Sequence, residues 1–448
     1  MKRSAWRYLW SAHDIRNRLI LTVALLVLYR LVAHVPVPGV NTEALAEILR
    51  NPGAAGGIIS LFDLLSGGTV SNFSVLAMGV YPYITAQIIL QLLVPIIPAL
   101  QRRMEDDPKA GREFMERWTY YLAVPMAMLS AIGQIRLFNS GFSTPVIDNF
   151  GFNWGDRPEL ILPTLTTLIT MAGGTMFAIW LGELISEYGV RNQGLSLIIF
   201  SGIVSQMPAN LGQTLADEQR RWLLLTSYVG ITIATVFAIV IVQQGRRNVP
   251  VMYPGRRMGN RQSMPVRGTL PLMVNMAGMI PLIFAQSILT FPAIIASLFA
   301  ANTNPTVRDI ANSLINFFNG NGPWYGLMYF LMVVAFTFFY TDVLFQQQNY
   351  GENLKKVGAQ IPGVTKGVPT QRYLTRVLRR ITLPGAVFLG LVAVLPFIVG
   401  GVLRQGQAQS LLINGAGLLI VVGVVRDTFF GLETELKLRG YDDALLVR

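Results

Sequence analysis

The chain has 448 residues, of which 52% are hydrophobic and only 13% charged, with a mean hydropathy of +0.47 and a formal net charge of +12. The apolar residues run in long uncharged stretches, the pattern of an integral membrane protein rather than of several soluble domains. There is no cysteine, which excludes disulfides, thiolate nucleophiles and Cys-ligated metal sites.

The basic start, MKRSAWRYLW, looks like a signal-peptide n-region, but the apolar run from Leu19 ends in HVPVPG without a small-residue cleavage pattern. A retained span over about 18–35 is expected. Next come nine mostly apolar residues, IISLFDLLS, bracketed by Gly56-Gly57 and Gly67-Gly68. As a helix this stretch is roughly 14 Å long, about half of the ~30 Å hydrocarbon layer. It is too short to cross and too apolar to sit in water. The following GGTVSN has the glycines and polar residues of a hinge. Asn72-Phe73-Ser74 also fits a glycosylation sequon, a triplet short enough to arise by accident.

Nine further spans are expected at about 74–98, 118–138, 160–181, 193–208, 222–243, 271–299, 323–345, 381–403 and 409–430, the fifth of the ten being short and glycine-rich. An even number puts both termini on one side. Only eight of the 36 lysines and arginines (Arg30, Arg50, Arg136, Arg157, Arg220, Arg221, Arg308 and Arg404) fall on the opposite side, leaving 28 with the termini and the loops after even-numbered spans. Basic residues are retained on the cytoplasmic face, so both termini are expected there. The 6/7 loop carries six arginines and no acid, and Val, Met and Tyr around Tyr253-Pro254-Gly255 suggest a short turn or hairpin. Both this loop and the 8/9 loop exceed what charge retention needs. Either they satisfy the positive-inside rule alone, or they dock an acidic or phosphate-rich partner.

Familiar reaction chemistry is absent from the sequence. His13 and His34 stand 21 residues apart without ligand-spaced neighbours, and no metal or other cofactor is expected. Gly358-AQIP-Gly363 has P-loop glycine spacing, but Val364-Thr365 follow where Lys-Ser/Thr would stand. Within the spans, ionisable residues are confined to Arg30 and Arg136 near outer ends and to Glu183, Asp342, Arg426 and Asp427 near inner ends. Substrate capture by buried charge is therefore not expected.

The second and seventh spans echo one another. Gly79-VYPYITAQIIL and Gly278-MIPLIFAQSIL match at seven of twelve positions with a constant offset of 199. Each is the second span of a five-span half, and an odd number of spans inverts the second half relative to the first. Pro82 and Pro281 fall at matched places, where each removes a backbone donor.

Taken together, HVPVPGVN, LFDLLSGG, LAMGVYPYITAQIILQLL, GLSLIIFSGIV, LPLMVNMAGMIP and the IPG stretch of the 8/9 loop resemble the SecY family over essentially the whole chain. The resemblance implies an all-α membrane protein of ten transmembrane helices in two inverted five-helix halves around an hourglass pore, with a short plug helix. The halves are expected at 1–208 and 209–432, with a cytoplasmic tail over 433–448. The implied role is the central subunit of a bacterial plasma-membrane channel that translocates unfolded preproteins and inserts membrane proteins laterally. It is not expected to be an enzyme. Carried over by residue, the apolar pore ring falls on Ile84, Ile88, Leu195, Ile199, Ile283 and Ile420. The plug falls on Ile58, Ile59, Ser60, Leu61, Phe62, Asp63, Leu64, Leu65 and Ser66.

Spans 2 and 7 are expected to border the lateral gate, with Gln87, Gln91, Asn275 and Gln286 placing polar contacts in or beside it. Implied partners are the small subunits SecE and SecG, the motor ATPase SecA, the ribosome, signal sequences, unfolded polypeptide and membrane lipid. Docking candidates are Arg246, Arg247, Arg256, Arg257, Arg261, Lys355, Lys356 and Arg372, with Lys366 standing beside Thr365 where the family usually has an arginine. The tenth span also departs from the family, reading NGAGLLIVV in place of a Gly-Gly-Thr-Ser-like start. The competing expectation from another class is an inverted-repeat secondary transporter of small solutes.

Overall fold

A computed structural model describes residues 13–45, 69–70, 73–94, 96–140, 145–147, 150–151, 157–191, 193–216, 221–254, 257–258, 261–262, 266–299, 304–318, 323–402 and 415–438. The expected plug, Ile58–Ser66, and the docking candidate Arg256 lie outside these residues. Helices run in the order α1 (His13–Val32), α2 (Tyr81–Leu93), α3 (Pro98–Asp106), α4 (Pro108–Ser140), α5 (Ile161–Tyr188), α6 (Gly194–Ala216) and α7 (Arg221–Gln244). Strands β1 (Arg246–Tyr253), β2 (Arg257–Met258), β3 (Arg261–Gln262) and β4 (Val266–Met273) follow. The chain then returns to helix in α8 (Ile280–Phe299), α9 (Pro305–Phe317), α10 (Pro323–Gln347), α11 (Tyr350–Lys356), α12 (Val368–Val402) and α13 (Gly415–Leu438).

Each expected apolar stretch coincides with a helix. Among the described residues, three helical stretches are long and apolar enough to cross a membrane, at Pro158–Tyr188, Trp324–Lys356 and Val368–Leu395. A fourth is possible if α2 and the start of α3, bent by 94°, count as one broken span. Helix is the economical form here because each backbone donor finds its acceptor within the segment. Hydroxyls obey the same constraint: in α5, Thr166, Thr167, Thr170 and Thr175 donate to the carbonyls of Leu162, Pro163, Thr166 and Met171. α6 continues past Pro208 to Ala216, across the expected boundary between the halves. α13 likewise runs beyond 432, and Glu435 near its end pairs with Arg18 of α1 at 2.9 Å and with Arg191 at 3.4 Å.

The second and seventh helices begin later than the apolar runs that announce them. Residues 75–80 form turns, α2 starts at Tyr81, β4 occupies the sequence to Met273 and α8 starts at Ile280. The starts are built alike. Gly79 and Gly278 both take left-handed conformations, with φ of +52° and +64°, which glycine adopts without a Cβ penalty. Two residues later each helix begins, with Pro82 and Pro281 at its second position. A first-turn N–H has no intrahelical partner, so these prolines begin their helices and do not kink them. The offset of 199 therefore holds in backbone conformation as well as in residue type.

Of the expected hinge GGTVSN, only Thr69 and Val70 lie within the described residues. Thr69 and Val70 are fully buried, and Thr69 Oγ1 donates to the Leu76 carbonyl at 2.7 Å. Phe73 is buried in the left-handed region, φ +40°, with its ring edge-on to Phe138 at 5.3 Å. Just outside α1, the HVPVPGVN loop bridges to this segment: Val75 donates to Val35 at 2.9 Å and Val37 to Phe73 at 3.1 Å.

Close approach of these turns to α5 depends on Gly174, where a Cβ would collide with the Val75 carbonyl, whereas neighbouring Gly173 faces open space. Gly174→Ala should destabilise the protein by about 1–3 kcal/mol, the usual cost of overpacking. Gly173→Ala should be neutral or mildly stabilising. Thermal unfolding of the two variants in detergent compares them directly, and equal midpoints would remove the Val75 contact as the reason for Gly174.

Candidate pore, gate and cytoplasmic platform

Ile84 and Ile283 occupy the fourth position of α2 and α8 and are related by the same 199-residue offset. Ile84 packs against the apolar cluster that contains Ile283, against a second containing Ile199 and Ile420, and against a third containing Ile88. Leu195 packs on the second of these. Ile84 is thus shared by three apolar clusters that between them hold the other five residues expected to form the ring. Ile88, Ile199, Ile283 and Ile420 are buried, and Ile84 and Leu195 half-buried. The one-turn spacings of Ile84 with Ile88, and of Leu195 with Ile199, keep each pair on a single helix face.

The four expected gate residues separate into different environments. Gln286 and Asn275 are buried, Gln91 is half-buried and Gln87 is exposed. No hydrogen bond joins Gln87 to Gln286 among the described residues. Asn275 Nδ2 instead donates to the Gly278 carbonyl at 3.2 Å, bracing the left-handed turn before α8. A polar contact from α2 toward α8 runs through the Tyr81 hydroxyl, which meets Thr85 of its own helix and Ser287 of α8. Ser287 Oγ donates its proton to the Ile283 carbonyl at 2.7 Å, leaving its lone pairs to accept from Tyr81. Sequence reading missed this pair because the echo drew attention to identities, and Tyr81 and Ser287 match nothing at the offset.

α8 touches α2 only briefly and lies mainly along α9, α10 and α4. Against α4 the approach is close: a Cβ on Gly133 would collide with Ile294. Beside it, Gln134 is fully buried, and among the described residues neither of its amide atoms nor the Gln286 side-chain nitrogen has a hydrogen-bond partner. The seam around α8 is thus wider than a contact between spans 2 and 7, with α4 as its other wall.

On the basic side, the two long loops form one structure. β1 and β4 pair antiparallel, from Arg246↔Met273 to Tyr253↔Val266, which accounts for the hairpin signal in the sequence and is the main departure from an all-helical chain. The hairpin base closes through Val274 N to the Gly245 carbonyl at 2.9 Å. Val249, Val251 and Leu272 on one face bury against Leu354, Ala359, Ile361, Leu374 and Leu378 of the 8/9 segment. Two backbone bonds, Met252 N to Gln360 O at 2.7 Å and Gln360 N to Met252 O at 2.8 Å, join the loops directly. Gly358, Gly363 and Gly367 have φ of +75°, +80° and +92°. Their spacing, which mimics a P-loop in sequence, serves tight turns.

The docking candidates decorate this platform. Arg246, Arg247, Lys355, Lys356, Lys366 and Arg372 are exposed. Lys356 lies 3.8 Å from Glu352 one turn earlier, a solvated pair that contributes little. Arg257 and Arg261 fall in the short β2–β3 pairing, opposite Gln262 and Met258 respectively. Thr365 and Lys366 are exposed, and the Thr365 carbonyl accepts from Thr370 at 2.7 Å. Among the described residues no group of three or more His, Cys, Asp or Glu side chains is arranged to hold a metal.

The SecY family model matches residues 74–429. The chain is 35% identical to protein translocase subunit SecY of Streptomyces galbus, covering 96% of this chain and 97% of that one. It is 35% identical to the Thermotoga maritima subunit, over 98% and 96% of the two chains. With the Synechococcus elongatus subunit the identity is 37%, over 96% and 94%. Among solved structures it resembles a protein-conducting channel with a TM-score of 0.62 at 18% identity, covering 94% of this chain and 92% of the other. A structure of a SecY protein whose plug domain stabilises the closed state of the translocation channel gives a TM-score of 0.61 at 18% identity, with the same coverage. The architecture is thus the helical membrane fold of these two structures. The chain belongs to the SecY family.

Gln371 fastens the platform, its side-chain oxygen accepting from Gly351 N at 2.8 Å. Gln371→Ala should strand that donor at a cost of about 1–3 kcal/mol. Hydrogen exchange over 350–367 should then quicken several-fold, with exchange in α5 unchanged. Unaltered exchange in the loop would show that the apolar cluster alone holds it.

Proposed function

We propose that the chain is the pore-forming subunit of a protein-conducting channel in the bacterial plasma membrane, with both termini cytoplasmic. One observation carries this reading: Ile84, matched by Ile283 on the equivalent helix, packs against three apolar clusters that between them contain the other five ring residues. A conduit for unfolded polypeptide must pass every type of side chain without capturing any. Hydrogen-bonding or charged walls would hold some segments, whereas aliphatic side chains make weak, undirected contacts. An apolar constriction also dewets and resists ions, which matters because each charge gains ~2.3 kcal/mol per 100 mV of membrane potential. The segment Ile58–Ser66 is assigned as the plug covering the ring from outside, tethered by the buried anchor at Thr69, Val70 and Phe73.

Lateral exit to lipid uses the seam around α8. Polar contacts between helices in membranes average only about 0.6 kcal/mol, so the Tyr81–Ser287 contact holds it lightly. An apolar signal segment entering the seam contributes ~25 cal/mol per Å² of surface removed from water, enough to compete. The energy for translocation comes from a partner docked on the joined 6/7 and 8/9 platform: the motor SecA, or a ribosome whose phosphates meet the exposed arginines and lysines. SecE and SecG are the expected membrane partners, and the names of the relatives support membership of such a translocase.

The absence of native cysteine makes a clean test possible. In a Tyr81→Cys/Ser287→Cys variant reconstituted with its partners, a short bismaleimide bridge should abolish insertion of a signal-anchored substrate and leave each single-cysteine control active. Insertion undiminished by the bridge would remove the gate assignment. A second measurement addresses the plug: deletion of Ile58–Ser66 should raise resting ion conductance in planar bilayers, and an unchanged conductance would refute that role. Passage of small solutes but not of a tethered unfolded polypeptide would favour the transporter reading.

A further inference from the structure

α13 is fastened at two levels. Arg426 holds it to α7 of the same C-terminal half: its Nη1 donates to the Gln243 carbonyl at 3.2 Å, while Nη2 and Nε contact Asp427 Oδ1 at 2.7 and 2.9 Å. Two and a half turns further on, about 14 Å along the helix, Glu435 reaches the other half of the chain. Its Oε1 accepts from Arg18 of α1 at 2.9 Å and lies 3.4 Å from Nε of Arg191, in the turn between α5 and α6. Arg18 and Glu435 stand 417 positions apart, so no pattern in the sequence announces the contact.

The two arginines belong to one body. Thr22, one turn after Arg18, donates from Oγ1 to the Arg18 carbonyl at 2.8 Å and accepts from the backbone N–H of Val190 at 3.3 Å. Gly189 lets these segments meet, because a Cβ there would collide with Thr22 Oγ1. α13 is therefore fixed to one half by Arg426 and to the other by Glu435. This bridge stands apart from the seam: α13 lies along α6, α7 and α12, whereas the seam has α8 on one side and α2 and α4 on the other.

We propose that Glu435, Arg18 and Arg191 form an ionic tie that keeps the inner ends of the two halves in register when the seam around α8 parts. The proposal rests on the reading of that seam as the moving joint. An isolated solvated pair contributes little, but here one carboxylate is shared by two guanidiniums. The Glu435 side chain is 18% exposed and that of Arg18 28%, so water screens them less than a surface pair. Coulomb attraction falls slowly with distance and is weakly directional, so the tie survives a small tilt of one half that would break close packing. Aliphatic side chains at the same place would gain little by preferring protein to lipid. Arg191, 65% exposed and further from the carboxylate, is the weaker arm.

The cysteine-free chain accepts spin labels at Asn17→Cys on α1 and Gln244→Cys at the end of α7, both exposed and neither part of the tie. Pulsed dipolar EPR on the full chain in nanodiscs should give one narrow distance when the tie is native. Glu435→Gln, which keeps the size of the side chain and removes its charge, should broaden the distribution and add a second population. Arg18→Gln should do so more strongly than Arg191→Gln. The triple exchange Arg18→Glu/Arg191→Glu/Glu435→Arg should restore the narrow distance. High salt should shift wild type toward the Glu435→Gln distribution and leave that variant unchanged. A distribution unaltered by Glu435→Gln overturns the proposal. So does a broadening that the exchange fails to reverse, which would make Glu435 a packing residue. These distances are read in the resting chain without substrate, so a failed tie leaves the channel reading standing, and failure of that reading would appear in the insertion assay and not here.

Discussion

Aliphatic surface gains little by moving from lipid tails to a neighbouring helix, so helix contacts within a bilayer depend on fit and on a few polar bonds. The meeting of α2 and α8 shows that constraint. Its apolar part converges on Ile84, and its polar part on Tyr81 and Ser287. Neither is strong, and α8 leans more on α4 and α10 than on α2. An interface of this kind can be complete when closed and still open at modest cost, which is what the proposed lateral exit would need. A larger complementary surface, or a buried ion pair, would have made the same junction permanent.

The backbone sets a second limit, since irregular chain at membrane depth must be buried in protein or lie against water. The turns before α2 and α8 satisfy it by the same device: a left-handed glycine, a proline at the second helical position, and local bonds that occupy the turn's polar groups. Thr69, Ser74 and Asn275 serve as internal caps for chain that is not helical.

On the basic side, the hairpin and the 8/9 segment share one apolar core and a pair of backbone bonds with the base of α12. A partner bound to either loop thus loads both. Because α12 runs without a break from this platform into the membrane, and Arg379 ties it to α10, the platform is joined to two helices of the C-terminal half.

The sequence alone determined the membrane class, the positions of the apolar helices, the bias of basic charge to one side, the matched second and seventh helices and the hairpin signal. All of these are local properties: runs of apolar residues, charge counted along the chain, and glycine and proline at fixed offsets. It also singled out Ile84, Ile88, Leu195, Ile199, Ile283 and Ile420, because resemblance transfers residue positions along a chain. Only the tertiary structure decided that Pro82 and Pro281 begin their helices, since a run of apolar residues does not mark where backbone bonding starts. It alone showed that Gln87 and Gln286, identical in the echo, differ in burial, that Tyr81 meets Ser287, and that two loops over a hundred residues apart form one platform. Burial and pairing between distant segments depend on which face each helix turns toward its neighbours, and that choice is made by the packing of the whole chain.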